Sequence, residues 1–322
     1  MNNIAVFSGS NNELMTKNIC NFLQIPLSLS SINIFPDSEI IVEVNSQARG
    51  KDCFVVQSIS PPTNDSLMEI LIFIDCLKRA SAKTITAVIP YYGYARQDRK
   101  DKGRTPITAK LIADMLSTAG ANRVLTLDLH AKQIEGFFNI PVDHLTAVPV
   151  FVRKLKQEDL GNYIVLSPDV GNVKTASRYA DELGLDISIV HKKRLNGEQV
   201  EAEQIIGDVE GKDILMFDDM ISTAGTICSA AKLAVKKGAK NIRAFATHGL
   251  FVGQAFERLK DSPINEITVT NSILLSDKDI VKSSNLNIKV LTIDYLLGEA
   301  ILRIYQNRSV SVLLESGREY DM

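Results

Sequence analysis

The stretch ASAKTITAVIP, residues 80–90, indicates the fold, because a small pair ends a helical segment and a β-branched run starts two residues later. The same pattern recurs as AGANRVLTLDLH at 119–130 and as KGAKNIRAFATH at 237–248. Gly or Ser followed by Ala suits a helix C-terminus, and the β-branched run suits a strand. The alternation predicts an α/β protein with mostly parallel sheets flanked by helices.

Two of these repeats lie in the first half of the chain and one in the second, which indicates two similar domains. A chain of 322 residues also exceeds the ~250–300 residues at which single cores stop growing. We predict an N-terminal domain over residues 1–147 and a C-terminal domain over 148–322. The last helix can pack either within the C-terminal domain or on the N-terminal domain.

Periodicity and β-branched content place the other elements. Strands are predicted at Ile4–Phe7, Ile40–Val44, Cys53–Gln57, Tyr163–Leu166, Ile187–Val190, Ile214–Phe217, Ile267–Thr270 and Lys289–Leu291. Helices are predicted at Leu67–Ala80, Thr108–Ala119, Val148–Leu155, Val173–Leu183, Ile227–Lys237 and Asp294–Gln306.

Composition limits the classes of function. A formal net charge of −2 provides no global basic field for nucleic acid. The chain contains no run of ~18 apolar residues, so no membrane span is predicted. The N-terminus has no signal-peptide pattern. Four widely spaced cysteines fit reduced, mostly buried thiols. We expect a cytoplasmic protein without nucleic-acid or membrane partners.

The segment ILMFDDMISTAGT, residues 214–226, carries the clearest functional signal. Four apolar residues lead into Asp218 and Asp219, and the small or hydroxyl residues Ser222, Thr223, Ala224, Gly225 and Thr226 follow before a helical pattern. Such a loop at a helix N-terminus can direct several N–H groups at one anion, and the carboxylates suit sugar hydroxyls. The alternative is an ordinary turn with Thr223 or Ser222 as the N-cap.

Acidic residues recur where predicted strands end. Asp128 and His130 follow one strand, Asp169 follows another, and Asp218 and Asp219 follow a third. In open α/β sheets, functional groups gather at these carboxyl ends. His130, Asp128 and Asp169 predict an oxygen-rich site that suits Mg²⁺. A single histidine at a strand end is also compatible with a purely structural role.

Two further segments suit a nucleotide. IPYYGYARQDRKDK, residues 89–102, interleaves tyrosines with cations, a pattern that binds either a nucleotide or a single-stranded nucleic acid. The near-neutral chain favours the nucleotide, and a solvated charged loop is the simple alternative. IFPDSEI, residues 34–40, places Asp37 and Glu39 beside Phe35, which can hold a purine and its ribose but is also a routine turn sequence.

A basic segment follows the strand predicted at Ile187–Val190. His191, Lys192, Lys193 and Arg194 precede an Asn-Gly turn signal. We predict a basic loop that closes over bound phosphates, with a surface charge run as the alternative.

Together these segments resemble the class I ribose-phosphate pyrophosphokinases, the phosphoribosyl pyrophosphate synthetases, over essentially the whole chain. The matching motifs occur in the family's order: FPDSE at 35–39, YARQDRKDKGR at 94–104, DLHAKQIEGFF at 128–138, SPDVG at 167–171, HKKR at 191–194, DDMISTAGT at 218–226 and THGLF at 247–251. The resemblance implies two phosphoribosyltransferase-like domains. It also implies transfer of the β,γ-pyrophosphoryl group of ATP to ribose 5-phosphate, giving phosphoribosyl pyrophosphate and AMP.

The resemblance also implies site residues, Mg²⁺, activation by inorganic phosphate, inhibition by ADP, and a homo-oligomer, typically a hexamer. The implied ATP contacts are Phe35, Asp37, Ser38, Glu39, Arg96 and Gln97, and the Mg²⁺-linked residues are His130 and Asp169. The implied catalytic residues are Lys192 and Arg194, and the ribose 5-phosphate site comprises Arg194, Asp218, Asp219 and Ser222, Thr223, Ala224, Gly225 and Thr226. The implied phosphate-effector residues are Arg49, Arg104, Ser309 and Ser311.

The chain departs from the family pattern at three places. The SPDVGN segment, residues 167–172, lacks the paired glycines that are common in relatives. Ser222 stands where many relatives carry Asp, and Gln47 stands where a serine is frequent at the effector site. A phosphoribosyltransferase and a non-catalytic regulatory homologue of the synthetase remain alternatives. The first would lack the ATP segments, and the second would have lost the Lys192 and Arg194 segment or the metal residues.

Overall fold

The computed structural model of the protein describes residues 3–100, 102–195 and 200–315, without the side chains of residues 192–203 and 277. The chain forms two compact units. The first runs through Thr146 and adds Ser272–Leu274 and Thr292–Glu315. The second contains Ala147–Asn271 and Leu275–Leu291.

The first unit is built on a five-stranded parallel sheet and a separate hairpin. The strands along the chain are β1 (Ile4–Ser8), β2 (Ser30–Ile34), β3 (Ile40–Val44), β4 (Asp52–Val56), β5 (Thr84–Ile89), β6 (Arg123–Leu127) and β7 (Val142–Leu145). The parallel sheet has the order β1-β4-β5-β6-β7, and β2 and β3 pair as an antiparallel hairpin. Strand interiors such as β5 are almost fully buried, as expected for a sheet covered on both faces.

The helices of the first unit are α1 (Glu13–Leu23), α2 (Thr63–Arg79), α3 (Thr108–Ala119) and α9 (Asp294–Tyr305). The terminal helix α9 packs against α1. Tyr295 meets Phe22 edge to face with ring centroids 4.6 Å apart, and Asn18 donates to Asp294 at 2.7 Å. A Cβ at Gly298 would lie 2.6 Å from the Phe22 ring, so the close approach of the helices requires glycine there.

The second unit contains a seven-stranded sheet. Its strands are β8 (Tyr163–Ser167), β9 (Ile187–Leu195), β10 (Val200–Ile206), β11 (Asp213–Ile221), β12 (Ile242–Gly249), β13 (Glu266–Thr270) and β14 (Ile288–Leu291). They lie in the order β10-β9-β8-β11-β12-β13-β14. All neighbours are parallel except β9 and β10.

Its helices are α4 (Val148–Leu155), α5 (Val173–Leu183), α6 (Gly225–Lys236), α7 (Ala255–Lys260) and α8 (Asp277–Lys282). An aromatic cluster joins α4 and α5 to the sheet. Tyr179 stacks on Phe217 with centroids 3.7 Å apart, and Phe245 contacts both Phe217 and Phe151 at 5.1 and 5.7 Å. Buried aromatic area of this kind is a major source of core stability.

The predicted fold class is confirmed: both units carry mostly parallel sheets flanked by helices. The predicted helices all form, but α1, α7, α8, β2, β7 and β10 were not predicted. The prediction that residues 191–194 form a loop is wrong for the backbone. The strand continues through Leu195 because β10 pairs with it from Ile189 to Leu195.

Candidate functional site

The order of strands in the second unit reverses beside β8. From β8 the chain passes to β9 on one side and later to β11 on the other. Such a topological switch point opens a crevice at the carboxyl ends of the two central strands, where open α/β sheets bind ligands. In the first unit the order runs steadily from β1 to β7, so the described part of that sheet has no such point.

Three predicted carboxylates gather at this switch point. Asp169 follows β8, and Asp218 and Asp219 lie in the neighbouring strand β11. Burial and the negative charges of Asp219 and Asp169 raise the pKa of the Asp218 carboxyl well above its usual value. Three acidic groups this close repel one another, so the cluster favours a cation or hydroxyl donors.

Asp218 and Asp219 lie inside β11 rather than beyond its end, which corrects the predicted strand. On one side β11 pairs with β12 as far as Ile221 opposite Gly249. On the other side its pairing with β8 covers only Asp213–Leu215. The long partner β12 therefore keeps the acidic residues extended, while the edge facing β8 is open beside them.

The loop after β11 leads into a helix whose start has no side-chain cap. Helix α6 begins at Gly225, and its N-cap is Ala224 in the left-handed conformation (φ 60°), with no side-chain cap. The alternative of Thr223 or Ser222 as an N-cap is therefore wrong. An uncapped helix start leaves backbone donors and a partial positive charge for an anion.

A residue that sequence reasoning missed, Asn172, braces the Asp169 turn. Its backbone N–H donates to Asp169 Oδ1 at 2.9 Å, and its Nδ2 donates to Phe217 O at 2.6 Å. It therefore joins the turn after β8 to the residue that precedes Asp218. An asparagine between a strand end and a helix was the one sequence signal, since this residue type favours such turns.

The donor set at the switch point fits a hydrated Mg²⁺. Among the described residues, no group of three or more His, Cys, Asp and Glu side chains is arranged to hold a metal ion. Mg²⁺ commonly takes one or two carboxylates and fills its shell with water and substrate phosphates. The oxygen donors of Asp169, Asp218 and Asp219 are therefore of the right kind.

In the first unit, the predicted purine contacts occupy the tip of the β2–β3 hairpin. Phe35 N donates to Glu39 O at 2.8 Å, and Ser38, which is left-handed (φ 74°), donates to Phe35 O at 2.8 Å. Asp37 Oδ1 accepts from Glu39 N at 3.2 Å. Phe35 is 47% exposed, so a hydrogen-bonded turn presents this aromatic residue to solvent.

Arg96 and Gln97 lie in the turn between β5 and α3, and both are exposed. Gln97 O accepts from Ala109 N at 3.2 Å in the first turn of α3. Its side-chain oxygen accepts from Thr108 Oγ1 at 2.5 Å. The turn carrying the predicted ATP pair is therefore fixed to the start of a helix.

His130 is exposed just beyond β6, in the same unit. The preceding Leu129 donates its N–H to His144 Nε2 at 2.9 Å, and His144 Nδ1 lies 2.5 Å from Glu135 Oε1. His144, on β7, thus braces the segment that carries Asp128 and His130. No local pattern signals this role, because the contact joins two neighbouring strands.

The predicted effector residues Arg49, Arg104, Ser309 and Ser311 all belong to the first unit and are exposed. The two serines are brought together, with their Oγ atoms 2.6 Å apart. Arg303 donates to Ser309 O at 3.2 Å, which anchors this segment to α9.

The predicted catalytic pair is described only by its backbone. Lys192 and Arg194 belong to β9, opposite Glu203 and Glu201 of β10. Their side chains lie outside the described residues, as does the turn predicted at Asn196 and Gly197.

The fold and the anion-directed loop define the class, a phosphoribosyltransferase-type α/β protein. The family model for the N-terminal domain of ribose phosphate pyrophosphokinase matches residues 4–120. The model for the phosphoribosyl synthetase-associated domain matches residues 197–315.

Whole-length relatives agree with these matches. Proteins named ribose-phosphate pyrophosphokinase are 49% identical in Wolinella succinogenes, covering 97% of this chain and 99% of the relative, and 48% in Rhizobium meliloti, covering 96% and 99%. The crystal structure of phosphoribosylpyrophosphate synthetase from Mycobacterium smegmatis is 38% identical, with a TM-score of 0.88 and coverage of 95% and 99%. The chain belongs to the ribose-phosphate pyrophosphokinase family.

Proposed function

We propose that the protein transfers the β,γ-pyrophosphoryl group of ATP to the C1 hydroxyl of ribose 5-phosphate. The products are 5-phosphoribosyl 1-pyrophosphate, a precursor for nucleotide biosynthesis, and AMP. The similarity to proteins named for this activity, at 49% identity over 97% of the chain, carries the proposal. The retained ATP segments distinguish it from a phosphoribosyltransferase.

The acceptor site is proposed at the switch point of the second unit. The uncapped start of α6 and the loop of Ser222–Thr226 would hold the 5-phosphate by N–H groups and hydroxyls. Asp218 and Asp219 would accept hydrogen bonds from the ribose hydroxyls. At Ser222 a hydroxyl donor fits phosphate binding, and no acid–base role is assigned to it.

Asp219→Asn tests the acceptor site. We expect the KM for ribose 5-phosphate to rise roughly 10–100-fold, the range for losing hydrogen bonds to a charged group. The matched control is Asp213→Asn, at the start of the same strand, where Oδ1 accepts from Asn241 and an amide oxygen can replace it. Steady-state kinetics of both variants would contradict the assignment if their KM values changed equally.

The donor site is proposed on the first unit. Phe35 would stack on the adenine, and Asp37, Ser38 and Glu39 would contact the base and its ribose. Arg96 and Gln97 would bind the nucleotide as well, with Arg96 near the phosphates. The exposed ring on a hydrogen-bonded hairpin tip and the fixed turn before α3 support this arrangement.

Phe35→Ala is expected to raise the KM for ATP roughly 5–100-fold, from lost base stacking. Because Phe35 is exposed, the thermal stability should stay close to that of the wild type. Phe35→Tyr keeps the ring and should keep the KM. An unchanged KM for ATP in Phe35→Ala would remove Phe35 from the donor site.

Mg²⁺ is proposed as the cofactor, with His130 and Asp169 as the linked residues and Asp218 and Asp219 as further oxygen donors. When bound, the ion would neutralise charge on the polyphosphate chain. The protein's own contribution is positioning and electrostatics. Lys192 and Arg194 would stabilise the charge that develops on the transferring phosphates, and Arg194 would also contact ribose 5-phosphate.

Regulation and assembly complete the proposal. Inorganic phosphate would activate and ADP would inhibit at Arg49, Arg104, Ser309 and Ser311, of which the two serines are in contact. A homo-oligomer, a hexamer, would form in the cytoplasm, where the free thiols, three of them buried, suit a reducing compartment. No helix in the described part of the chain is long and apolar enough to cross a membrane.

One assay tests the function. The purified protein is incubated with ATP, Mg²⁺ and ribose 5-phosphate, and AMP is measured with and without added phosphate. AMP that forms only with the sugar supports the proposal. No AMP under either condition would favour the non-catalytic regulatory homologue.

A further inference from the structure

We propose that Arg258 is a positioning residue for the acceptor's 5-phosphate. It holds the Thr223 carbonyl so that the N–H of Ala224 faces the anion. The inference rests on the proposed function, because it concerns the same loop. Arg258 lies on α7, which was not predicted from the sequence, and belongs to none of the segments that carry the family resemblance.

Three successive carbonyls, that of the last residue of β11 and those of the first two loop residues, are bound by the segment that follows β12. Ile221 O accepts from the N–H groups of Leu250 and Phe251 at 3.0 and 3.1 Å. Ser222 O accepts from Val252 N at 3.0 Å. The remaining carbonyl, that of Thr223, accepts from Arg258 Nη1 at 3.0 Å. The donors to the first two carbonyls are backbone groups, and the donor to the third is a side chain.

The direction of these carbonyls determines the direction of the N–H groups. In a trans peptide, the C=O of one residue and the N–H of the next point to opposite sides. Binding the carbonyls of Ser222 and Thr223 on one side therefore turns the N–H groups of Thr223 and Ala224 to the other side. A concave row of N–H groups is an anion site.

No protein acceptor takes the N–H of Thr223 or Ala224 within the described residues. Ala224 has a left-handed backbone at φ 60°, a conformation that is energetically unfavourable for an L-residue with a Cβ. A flip of the Thr223–Ala224 peptide would relieve that strain and turn the Ala224 N–H away. The bond from Arg258 opposes the flip, so it selects the binding conformation.

Arg258 is well placed to hold a fixed position. The helix that carries it is anchored by buried Phe256, which stacks on Phe251 with centroids 5.2 Å apart. The Arg258 carbonyl accepts from Cys228 Sγ of α6 at 3.5 Å. No carboxylate forms an ion pair with Arg258 in the described part of the chain, so its guanidinium is available to bond the Thr223 carbonyl.

The test compares Arg258→Met with Lys260→Met. Both remove one positive charge from the exposed face of α7, but only Arg258 bonds the loop. For Arg258→Met we expect the KM for ribose 5-phosphate to rise roughly 10–100-fold, with a much smaller change in kcat and in the KM for ATP. Arg258→Lys keeps the charge and a shorter donor. Its KM for ribose 5-phosphate should fall between those of Arg258→Met and Lys260→Met.

The outcomes separate the inference from the proposed function. A selective rise in the KM for ribose 5-phosphate, with a melting temperature near that of the wild type and a near-normal Lys260→Met, supports the positioning role. The positioning role would be overturned, with the wild type still active, by any of three results. The KM for ribose 5-phosphate changes equally in Arg258→Met and Lys260→Met, it stays unchanged in Arg258→Met, or the KM for ATP rises by the same factor. A wild type that forms no sugar-dependent AMP rejects both.

Discussion

Replacing Lys192 with alanine is expected to lower kcat about 10²–10⁴-fold, the range for removing a donor that acts in the transition state. The KM values and the fold should change little, because the backbone of Lys192 is held in β9 by pairing with Glu203 of β10. Steady-state kinetics with ATP and ribose 5-phosphate provide the measurement.

The neighbouring lysine supplies the control for Lys192. Lys193→Ala removes the same charge from the same strand, and its register partner is Ala202. We expect its kcat to stay close to that of the wild type. An unchanged kcat in Lys192→Ala, or an equal fall in both variants, would exclude a specific catalytic role.

Arg243→Met is expected to destabilise the protein by about 1.5–3 kcal/mol, the range for hydrogen bonds to charged groups, because the buried Glu266 then keeps only Lys289 and the partly buried Glu158 keeps only Lys154. Arg243 has only 10% of its side chain exposed. It donates to Glu266 Oε1 at 2.8 Å and to Glu158 Oε2 at 2.6 Å, and Lys289 also bonds Glu266. Urea unfolding measures the free-energy change. Activity per folded molecule should persist, since Arg243 lies at the start of β12.

The control for Arg243 is Arg79→Met. Arg79 bonds Asp75 at 2.6 Å on the surface of α2, with 78% of its side chain exposed. Exposed pairs of this kind contribute about 0–1 kcal/mol. A loss in Arg243→Met no larger than in Arg79→Met would show that the buried network contributes little.

The same network predicts a pH dependence. Burial raises the pKa of Glu266, but hydrogen bonds and charge from Lys289 and Arg243 outweigh it and hold that pKa below its ordinary value. The pKa of Glu158 is lowered in the same way, because hydrogen bonds and charge from Arg243 and Lys154 outweigh the effect of burial. A carboxylate whose pKa is lowered in the folded state contributes stability at pH values above its unfolded pKa of about 4.3. This contribution is lost as the pH falls through the folded-state pKa. The difference in the free energy of unfolding between the wild type and Arg243→Met should therefore shrink below about pH 4.

Much of the fold follows from local pattern. The β-branched runs at β5, β6 and β12 and the helices before them could be located from the sequence, since buried parallel strands are short and continuously apolar. The order of the motifs along the chain likewise indicated the family. The small-residue loop after Asp219 also predicted an anion site, because backbone donors at a helix start depend only on local chain geometry.

Other features depend on partners that are distant in the sequence. β11 runs through Asp218 and Asp219 because β12 pairs with it to Ile221, and residues 191–195 are a strand because β10 pairs with them. Local composition indicates neither extension, since strand length depends on the neighbouring strand.

The α/β class, the family and the residue types of the loop at 222–226 all follow from the order of amino acids alone. The orientation of that loop does not, because it requires the folded chain. Ala224, not Gly225, takes the left-handed conformation, and Arg258, far along the chain, binds the Thr223 carbonyl. A peptide's orientation depends on which groups accept and donate around it, and those groups come together only when the chain has folded.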